Sequence, residues 1–370
     1  MRIFQVINVR WFNATAWYAI TLSRLLADAG HEVTVLTQAG TDSEKRAQEL
    51  GLNTVSVDLN TTNPVRFAAA TRHIIQLLRT HRPHIVNCHR GEGFFLWGIL
   101  KLMGFPFKLV RTRGDQRPPR SDAFNRWLHA NIADAVVVTN RRMANYFLDK
   151  MRTPGNGLWL IHGGVDTERF TFDQKKREAV RTEFGFSPDD VVVGLLGRFD
   201  RVKGHKETIR AVARLRDHYG LANIRLFLIG FDTAMTSSQI EEWIAEYGVK
   251  DITHISGKRN DVEACISALD VGVVASLWSE AIARSALEIM ACGRPLVSTN
   301  VGVMPDLVSP PVLIEPEDSD AIAKAVATLC SDTAVREEVL ATQKRTMSQL
   351  TLEEFLKRSL NLYHSLLDEE

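Results

Sequence analysis

The chain has 370 residues, of which 45% are hydrophobic and 24% are charged, with a net charge of +1. This composition excludes a disordered chain, and because single hydrophobic cores stop growing at ~250–300 residues, the length predicts two domains. No stretch approaches the ~18 apolar residues of a membrane span, and the first residues enter a strand pattern without a signal peptide. We therefore expect a cytoplasmic protein.

The charges are unevenly distributed. Residues 1–163 carry 21 Lys and Arg against 11 Asp and Glu, whereas residues 164–370 carry 24 against 33. A basic domain suits a phosphorylated or carboxylated ligand, or an anionic membrane surface. The alternative is that the basic half only balances the acidic half. Nucleic acid is not among the partners that we expect.

Metal and redox chemistry find little support in the sequence. The four cysteines lie far apart in apolar stretches, without the paired spacing of a metal or redox site. Asp318 and Asp320 form an Asp-x-Asp pair, but they directly precede a predicted helix, so N-capping explains them better. We therefore expect neither a metal nor another cofactor.

In chain order, the first half alternates strands with helices, a pattern typical of a parallel α/β sheet. Strands are predicted at 2–9, 31–37, 53–57, 83–88, 109–112, 134–139 and 158–161, and helices at 17–29, 67–80 and 142–150. Trp11 and Trp17, near the first helix, are suited to stack on a sugar ring, although aromatic residues in this position are more often core residues. The glycine pair in 162–170, HGGVDTERF, predicts the linker.

Several polar residues follow the predicted strands of the first half. In an open parallel sheet, residues beyond the carboxyl ends of the strands line the ligand crevice. The candidates are Asn13, His89, Arg113 and Asp115, with a capping or solvated loop residue as the alternative for His89. The segment 111–120, RTRGDQRPPR, is basic and interrupted by prolines, so it predicts an anion-binding loop rather than a core element, with disorder as the alternative.

The second half repeats the alternation. Strands are predicted at 191–196, 224–230, 252–255, 271–275, 296–299 and 312–314, and helices at 206–219, 238–247, 261–268, 320–330 and 352–367. A further helix of about three turns is predicted from Ile282 to a Gly-Arg-Pro break after Cys292. No Gly-x-Gly-x-x-Gly follows these strands, which argues against a dinucleotide dehydrogenase.

Two glutamates mark this last helix. Glu280 lies at its start and Glu288 eight residues further on, about two turns at ~1.5 Å per residue. Two carboxylates at that spacing suit a ligand that lies along the helix, with hydroxyl groups at each end and an anion between them. The alternative is a pair of solvated glutamates on a surface helix.

A basic loop follows the predicted strand 191–196. It contains Gly197, Arg198, Lys203 and Gly204, so the two glycines and the two candidate phosphate-binding cations lie within eight residues. Glycines allow close backbone approach and the cations bind phosphate oxygens, so the loop predicts a diphosphate clamp. The combination Gly-Arg-x4-Lys-Gly followed by Glu-x7-Glu is much more specific than either motif alone.

These motifs, together with 161–170 and 255–280, make the chain resemble glycosyltransferase family 4, retaining enzymes with the GT-B fold. The resemblance is strong over about 160–310 and weaker before it. It implies two Rossmann-like, doubly wound parallel-sheet domains that face a central cleft. The acceptor domain would comprise 1–163 and the nucleotide-sugar donor domain 164–351, with a helix in 352–370 that packs back on the first domain.

The resemblance also implies roles for individual residues. Arg198 and Lys203 would bind the donor diphosphate, Glu280 would lie beside the transferred sugar, and Glu288 would bind the ribose hydroxyls. The nucleotide would also meet Gly197, Arg259 and Gly302. Asn13, His89, Arg113 and Asp115 would lie on the acceptor side.

The chain departs from the family pattern at two places. Where the family commonly has Gly-Phe-Gly after the first glutamate, this chain has Ala281, Ile282 and Ala283, whose methyl groups would crowd the backbone N–H groups that approach the donor. The family's histidine near the donor sugar is replaced by Gly114, which leaves Arg113 and Asp115 as the nearest polar groups.

The function expected from the resemblance is transfer of a sugar from a nucleotide-diphosphate sugar to a hydroxyl group, without a metal. The basic half favours an anionic glycan or glycolipid acceptor of the bacterial cell envelope, such as lipopolysaccharide, and peripheral contact with the inner membrane. Two alternatives stay open: a noncatalytic sugar-nucleotide-binding subunit, and an epimerase or hydrolase on the same fold.

Overall fold

The computed structural model describes residues 1–10 and 12–368. Trp11, one of the two tryptophans considered for sugar stacking, therefore lies outside the described residues. The chain forms two compact units, one of residues 1–163 together with 352–370 and the other of residues 164–351. Each unit is built on one parallel β-sheet.

The first unit contains a seven-stranded parallel sheet. Its strands are β1 (Arg2–Ile7), β2 (Glu32–Thr37), β3 (Asn53–Ser56), β4 (Ile85–Cys88), β5 (Lys108–Arg113), β6 (Ala135–Val138) and β7 (Leu158–Leu160). They are arranged in the order β3-β2-β1-β4-β5-β6-β7. The winding direction reverses between β1 and β4, and open sheets bind ligands beyond the carboxyl ends of the strands at such a point.

Six helices connect these strands. They are α1 (Ala14–Asp28), α2 (Asp42–Glu49), α3 (Pro64–His81), α4 (Phe94–Leu102), α5 (Ala123–Trp127) and α6 (Arg141–Asp149), and a π-helical turn (Leu128–Ile132) continues α5. Asn13, Asn63 and Asn140 cap α1, α3 and α6, since the side-chain oxygen of each accepts a hydrogen bond from the first turn.

The second unit contains a six-stranded parallel sheet. Its strands are β8 (Val191–Leu196), β9 (Ile224–Ile229), β10 (Thr253–Ile255), β11 (Val271–Val274), β12 (Leu296–Thr299) and β13 (Leu313–Ile314). The order is β10-β9-β8-β11-β12-β13, so the reversal lies between β8 and β11. The two parallel α/β sheets expected from the sequence are confirmed.

The remaining helices follow in chain order. They are α7 (Gln174–Glu183), α8 (His205–Asp217), α9 (Ser237–Glu246), α10 (Val262–Ser267), α11 (Arg284–Ala291), α12 (Met304–Leu307), α13 (Ser319–Ser331), α14 (Thr333–Met347) and α15 (Leu352–Asp368). Asp318 caps α13 by accepting a hydrogen bond from the Ala321 N–H at 2.8 Å, as the sequence predicts. Among the described helices, none has the length and apolarity needed to cross a bilayer.

The last helix, α15, belongs to the first unit and packs against α1. The Phe355 ring lies 4.6 Å from the ring of Tyr18. The buried Tyr363 hydroxyl accepts hydrogen bonds from Asn87 at 2.9 Å and Gln5 at 3.3 Å, so it satisfies two polar side chains inside the sheet. Both apolar packing and these bonds fix α15 beside β1 and β4.

Candidate active site

The loop after β8 is held by close backbone contacts that need glycine. A Cβ at Gly230 would lie 2.2 Å from the Gly197 carbonyl oxygen. A Cβ at Gly204, which has a φ of +71°, would lie 2.0 Å from the Ala275 carbonyl oxygen. No other residue permits such an approach. The backbone of 197–204 therefore packs directly against the ends of β9 and β11.

Within this loop, a 3-10 turn (Arg201–Lys203) directs Lys203 toward the segment that follows β11. Lys203 Nζ lies 2.7 Å from Glu280 Oε2, and the Ser276 hydroxyl donates to the same oxygen at 2.5 Å. The side chains of Lys203 and Glu280 are 21% and 7% exposed, so this is a largely buried ion pair. The Lys203 ammonium and the Glu280 carboxylate therefore lie side by side at the end of the sheet.

The position of this pair in the sheet is significant. Lys203 follows β8 and Glu280 follows β11, the two adjacent strands between which the winding direction reverses. Ligands of open parallel sheets bind at that point. Ser276 was not among the predicted site residues. It lies two residues beyond β11, and this position directly after a buried strand could have identified it as a candidate.

Arg198, the other predicted cation, is half-exposed. Its guanidinium contacts Asp200 Oδ2 at 3.1 Å, and its side chain is 49% exposed. Exposed ion pairs contribute ~0–1 kcal/mol, so Arg198 can exchange this partner for another anion at little cost. The structure thus places one predicted cation in a buried pair and the other at the surface of the same loop.

The helix α11 is shorter than predicted. It spans eight residues from Arg284 rather than about three turns from Ile282. Residues 280–283 are not helical. The rise of ~1.5 Å per residue that was used to estimate the separation of Glu280 and Glu288 therefore applies only from Arg284 to Glu288. Ala283 adopts the left-handed conformation, with a φ of +55°, and this turn delays the start of the helix.

The segment Ala281–Ala283 does not project its larger side chains as expected. Ile282 and Ala283 are 3% and 1% exposed, and Ala283 belongs to the hydrophobic core of the second unit. The Ala283 side chain therefore points into the core, and that of Ile282 is also buried. The prediction that these side chains crowd the N–H groups facing a donor is wrong for Ala283, and it stays a prediction for Ala281 and Ile282.

Glu288 lies inside α11 rather than on a solvated face. It is 4% exposed, and Arg284 Nε contacts its Oε1 at 2.6 Å. Burial raises the pKa of Glu288, against the opposing effect of Arg284. The alternative of a solvated surface glutamate is therefore wrong for Glu288, and also for Glu280.

The predicted loop around Gly302 meets the same cluster. The Val303 N–H donates to the Glu280 carbonyl oxygen at 2.8 Å, and Gly302 has a φ of +61°. Arg259, by contrast, is held elsewhere: its guanidinium contacts Glu183 at 2.6 Å and Asp261 at 2.7 Å. These hydrogen bonds raise the pKa of Arg259. Its guanidinium is therefore fully engaged by protein carboxylates.

In the first unit, two predicted residues have structural partners. The Asn13 side chain accepts a hydrogen bond from the Ala16 N–H at 3.0 Å as the cap of α1. His89 is completely buried, and its Nε2 lies 2.7 Å from Gln5 Oε1. Burial, followed by the charge of Arg111, lowers the pKa of His89 to about 3, so the ring is neutral. The alternative of a solvated loop residue is wrong for His89.

The prediction that 111–120 is entirely a surface loop is also wrong. Arg113 is the last residue of β5, and Arg111 lies two residues before it in the same strand. Both side chains are buried. Arg113 contacts Asp115 Oδ1 at 2.7 Å and donates to the Arg117 carbonyl oxygen at 2.6 Å. β5 ends one residue beyond the predicted strand, at Arg113, whose guanidinium finds polar partners within the unit.

Two family models match the chain. The Glycosyltransferase Family 4 model matches residues 15–169, and the Glycosyl transferases group 1 model matches residues 176–346. Together the two models match most of the chain. The chain belongs to the group 1 glycosyltransferases. The resemblance identified from its motifs is confirmed.

Relatives of this group 1 glycosyltransferase include sugar transferases of two kinds. The D-inositol 3-phosphate glycosyltransferase of Corynebacterium urealyticum is 24% identical, with 94% of this chain and 90% of that protein covered. The lipopolysaccharide core biosynthesis mannosyltransferase LpsB of Rhizobium meliloti is 29% identical over 62% of this chain and 64% of that protein. The match to the D-inositol 3-phosphate glycosyltransferase of Corynebacterium jeikeium is 25% identical over 60% of this chain and spans 55% of that protein's length.

Solved structures share the whole fold. A glycosyltransferase from Rickettsia africae superposes with a TM-score of 0.88 at 16% identity, covering 100% of this chain and 99% of that one. Anabaena Alr3699/HepE, solved in complex with UDP and glucose, gives a TM-score of 0.83 at 16% identity, covering 99% and 100%. At this identity the likeness concerns the fold, and the predicted GT-B class is confirmed.

Proposed function

We propose that this glycosyltransferase transfers a sugar from a nucleotide-diphosphate sugar to an acceptor hydroxyl, with retention of the anomeric configuration. The observation that carries the proposal is the Lys203–Glu280 pair at the winding reversal of the second sheet. Lys203 offers a positive charge to a leaving diphosphate, and Glu280 accepts hydrogen bonds from sugar hydroxyls. The complex of HepE with UDP and glucose supports a donor of this class.

In the proposed reaction, the bond between the anomeric carbon and the diphosphate oxygen breaks. The acceptor oxygen forms the new bond on the same face of the sugar, and its proton passes to the leaving diphosphate. Lys203 and the half-exposed Arg198 stabilise the negative charge that develops there. Because these cations perform the task that a divalent ion performs in other transferases, we propose that no metal is needed.

The other donor contacts follow from the same loops. Glu288 is a buried carboxylate paired with the half-exposed Arg284, and we propose that this arginine moves aside so that Glu288 can accept hydrogen bonds from the ribose hydroxyls. At Gly197 a Cβ would lie 3.5 Å from Lys203 Cγ, an ordinary contact, so protein packing does not by itself demand glycine there. Close approach of a phosphate supplies a reason.

For the acceptor we propose an anionic glycan or glycolipid of the bacterial cell envelope. The relatives named for inositol phosphate and for the lipopolysaccharide core support this class. The excess of basic residues in 1–163 supports a negatively charged acceptor held by the first unit.

We also propose peripheral contact with the cytoplasmic face of an anionic membrane through α4. Its residues Phe95, Ile99 and Leu102, together with Met103 directly after the helix, lie at helical spacing and are between 40% and 66% exposed. Neither α4 nor α3 contains a carboxylate, whereas α3 carries three arginines. The rings of Phe67 on α3 and Phe95 on α4 stack at 5.9 Å, which joins the two helices into one apolar and basic surface. Such a surface suits anionic lipid.

The decisive experiment is product analysis with a panel of nucleotide sugars, run with and without acceptor and in the presence of EDTA. Lipopolysaccharide core and inositol phosphate serve as the first acceptors. Transfer to an acceptor, insensitive to EDTA and with the donor's anomeric configuration retained, supports the proposal. Nucleotide release that does not need an acceptor identifies a hydrolase, and conversion of the sugar alone identifies an epimerase. Binding without turnover on any acceptor identifies a noncatalytic subunit.

A further inference from the structure

Arg111, near the end of β5, is fully buried, and no carboxylate of residues 1–10 and 12–368 forms an ion pair with it. Its Nη1 donates to the carbonyl oxygens of Cys88 at 2.8 Å and Thr112 at 2.5 Å. Its Nε and Nη2 are buried and have no hydrogen-bond partner among residues 1–10 and 12–368. Buried polar groups of a folded protein are normally paired, so these two nitrogens indicate a missing partner.

The carboxylates close to Arg111 are already engaged. Glu92 forms an ion pair with Arg90 at 2.5 Å, and Asp115 forms one with Arg113 at 2.7 Å. Arg90 and Arg113 therefore occupy these two carboxylates, and Arg111 forms an ion pair with neither of them. Burial lowers the pKa of Arg111 to about 9, so it is still charged at neutral pH. A buried charge without a partner is destabilising, and an incoming anion removes that cost.

An anion can reach Arg111 from solvent over Gly91. Gly91 is exposed, and a Cβ there would lie 3.9 Å from Arg111 Nη2, so a bare backbone separates the guanidinium from solvent. The first turn of α4 begins three residues later, capped by Gly93 without a side-chain hydrogen bond. Arg111 Cζ lies 5.5 Å from the Phe94 ring. A helix N-terminus and an unpaired cation both attract negative charge to this point.

Two further buried side chains near this edge have unpaired atoms. Asn8 follows β1 and His89 follows β4, the strands between which the first sheet reverses its winding. Within the described part of the chain, both polar atoms of the Asn8 side chain and Nδ1 of His89 have no partner. They offer hydrogen bonds to the polar body of a ligand whose anionic group lies at Arg111.

We propose that Arg111 and the first turn of α4 form a subsite for a phosphoryl group of the acceptor, reached over Gly91. Only the identity of the ligand as the acceptor rests on the proposed function. A phosphoryl group fits better than a carboxylate, because its oxygens can meet Nη2, Nε and a backbone N–H together. The proposed anion site therefore lies inside the unit rather than on the loop that carries Arg117 and Arg120.

The test measures the melting temperature of the full chain with inorganic phosphate, against sodium chloride of equal ionic strength. The variants are Arg111→Gln and Gly91→Asp, with Gly91→Asn as the neutral match of the aspartate. Phosphate should raise the melting temperature of the wild type and of Gly91→Asn by about 2–4 °C. It should have no effect on Arg111→Gln or Gly91→Asp, and Gly91→Asp should melt higher than Gly91→Asn because its carboxylate pairs with Arg111.

A phosphate effect that survives in both Arg111→Gln and Gly91→Asp overturns the proposal, as does an equal effect of acetate. If Arg111→Gln does not fold, the comparison of Gly91→Asp with Gly91→Asn decides. Lys203→Ala separates this site from the donor site: loss of the phosphate effect there places the anion in the second unit and overturns the proposal. A parallel titration with UDP tests the donor site alone, so its failure leaves the phosphate result standing.

Discussion

Lys203 Nζ lies 2.7 Å from Glu280 Oε2, so each group neutralises the other before any donor is present. In the proposed function, a donor diphosphate competes with Glu280 for Lys203, and the released carboxylate becomes available to the sugar hydroxyls. The two donor contacts that we propose are thereby coupled, because loss of the ion pair frees both groups at once. Such an exchange would favour a ligand that carries both a diphosphate and a sugar over either part alone.

The first prediction concerns the two cations of the loop. Lys203→Ala and Arg198→Ala should each reduce turnover by about a hundredfold or more, the scale seen when one charge-stabilising group is removed. Lys206→Ala is the control, since Lys206 lies three residues further on and pairs with Glu246 on the surface. Circular dichroism checks that the variants fold. Rates within twofold of wild type for both variants would exclude a diphosphate clamp.

The second prediction separates the two glutamates. Glu288→Ala should raise the donor KM, because hydrogen bonds to ribose are equally strong in the ground state and the transition state. Glu280→Ala should lower kcat instead, since Glu280 contacts Lys203, which we propose to stabilise the leaving diphosphate. Steady-state kinetics with varied donor measure both constants. An effect of Glu288→Ala confined to kcat would contradict the assignment.

The third prediction uses the backbone of Ala283, whose φ of +55° is a conformation that favours glycine. Ala283→Gly removes a left-handed strain of ~1–2 kcal/mol, but it loses up to ~1 kcal/mol through greater freedom of the unfolded chain and ~0.8 kcal/mol through the buried methyl group. The variant should therefore lie within about 1 kcal/mol of wild type. Ala286→Gly, inside α11 and equally buried, is the matched control and should be destabilised by about 2 kcal/mol. Chemical denaturation measures both, and equal losses would show that Ala283 is unstrained.

Much of the fold could be predicted from the sequence because buried parallel strands read as short apolar runs. Helices without an apolar stripe could not. The helices α2 (Asp42–Glu49) and α7 (Gln174–Glu183) are almost entirely polar, and α4 (Phe94–Leu102) is almost entirely apolar, so none shows a clear helical period. Their formation depends on capping and on packing against the sheet.

The candidate site could be predicted in residue identity but not in pairing. The motif Gly-Arg-x4-Lys-Gly identified Lys203, and the spacing of the glutamates identified Glu280, yet nothing in the sequence places one against the other. That contact depends on the order of β8 and β11 in the sheet. Likewise the basic composition of 111–120 suggested a solvent-exposed loop, whereas the register of β5 against β4 buries Arg111.

The fourth prediction concerns stability and pH. Burial lowers the pKa of His89 to about 3 and those of His129 and His205 to about 4, below the ordinary value of 6.5. Between pH 6.5 and these values the unfolded chain binds protons that the folded chain does not. Stability is therefore lost as the pH falls, by about 2 kcal/mol for each histidine at pH 5.

His89→Gln tests this assignment. The variant should reduce the loss of stability between pH 7 and pH 5 by about 2 kcal/mol, whatever its stability at pH 7. His73→Gln, at an exposed position of α3, is the control and should leave the difference unchanged. Urea denaturation at the two pH values measures both. A difference unaltered by His89→Gln would show that His89 does not stay neutral in the folded chain.

The last prediction concerns α4 as a membrane-docking surface. Leu102 and Met103 are 61% and 66% exposed, and burial of such side chains in lipid contributes ~1.5–3 kcal/mol each. The double variant Leu102→Ser with Met103→Ser should therefore weaken sedimentation with vesicles of phosphatidylcholine and phosphatidylglycerol by at least about tenfold. Tyr219→Ser, which changes an exposed aromatic residue of the second unit, is the control and should sediment like wild type.

Binding of the wild type to these vesicles should also fall with ionic strength, because exposed charges are screened over ~8–10 Å at physiological salt. Vesicle binding that is insensitive to the double variant, or absent in the wild type, would exclude α4 as the docking surface and leave its apolar face to contact the acceptor or another protein.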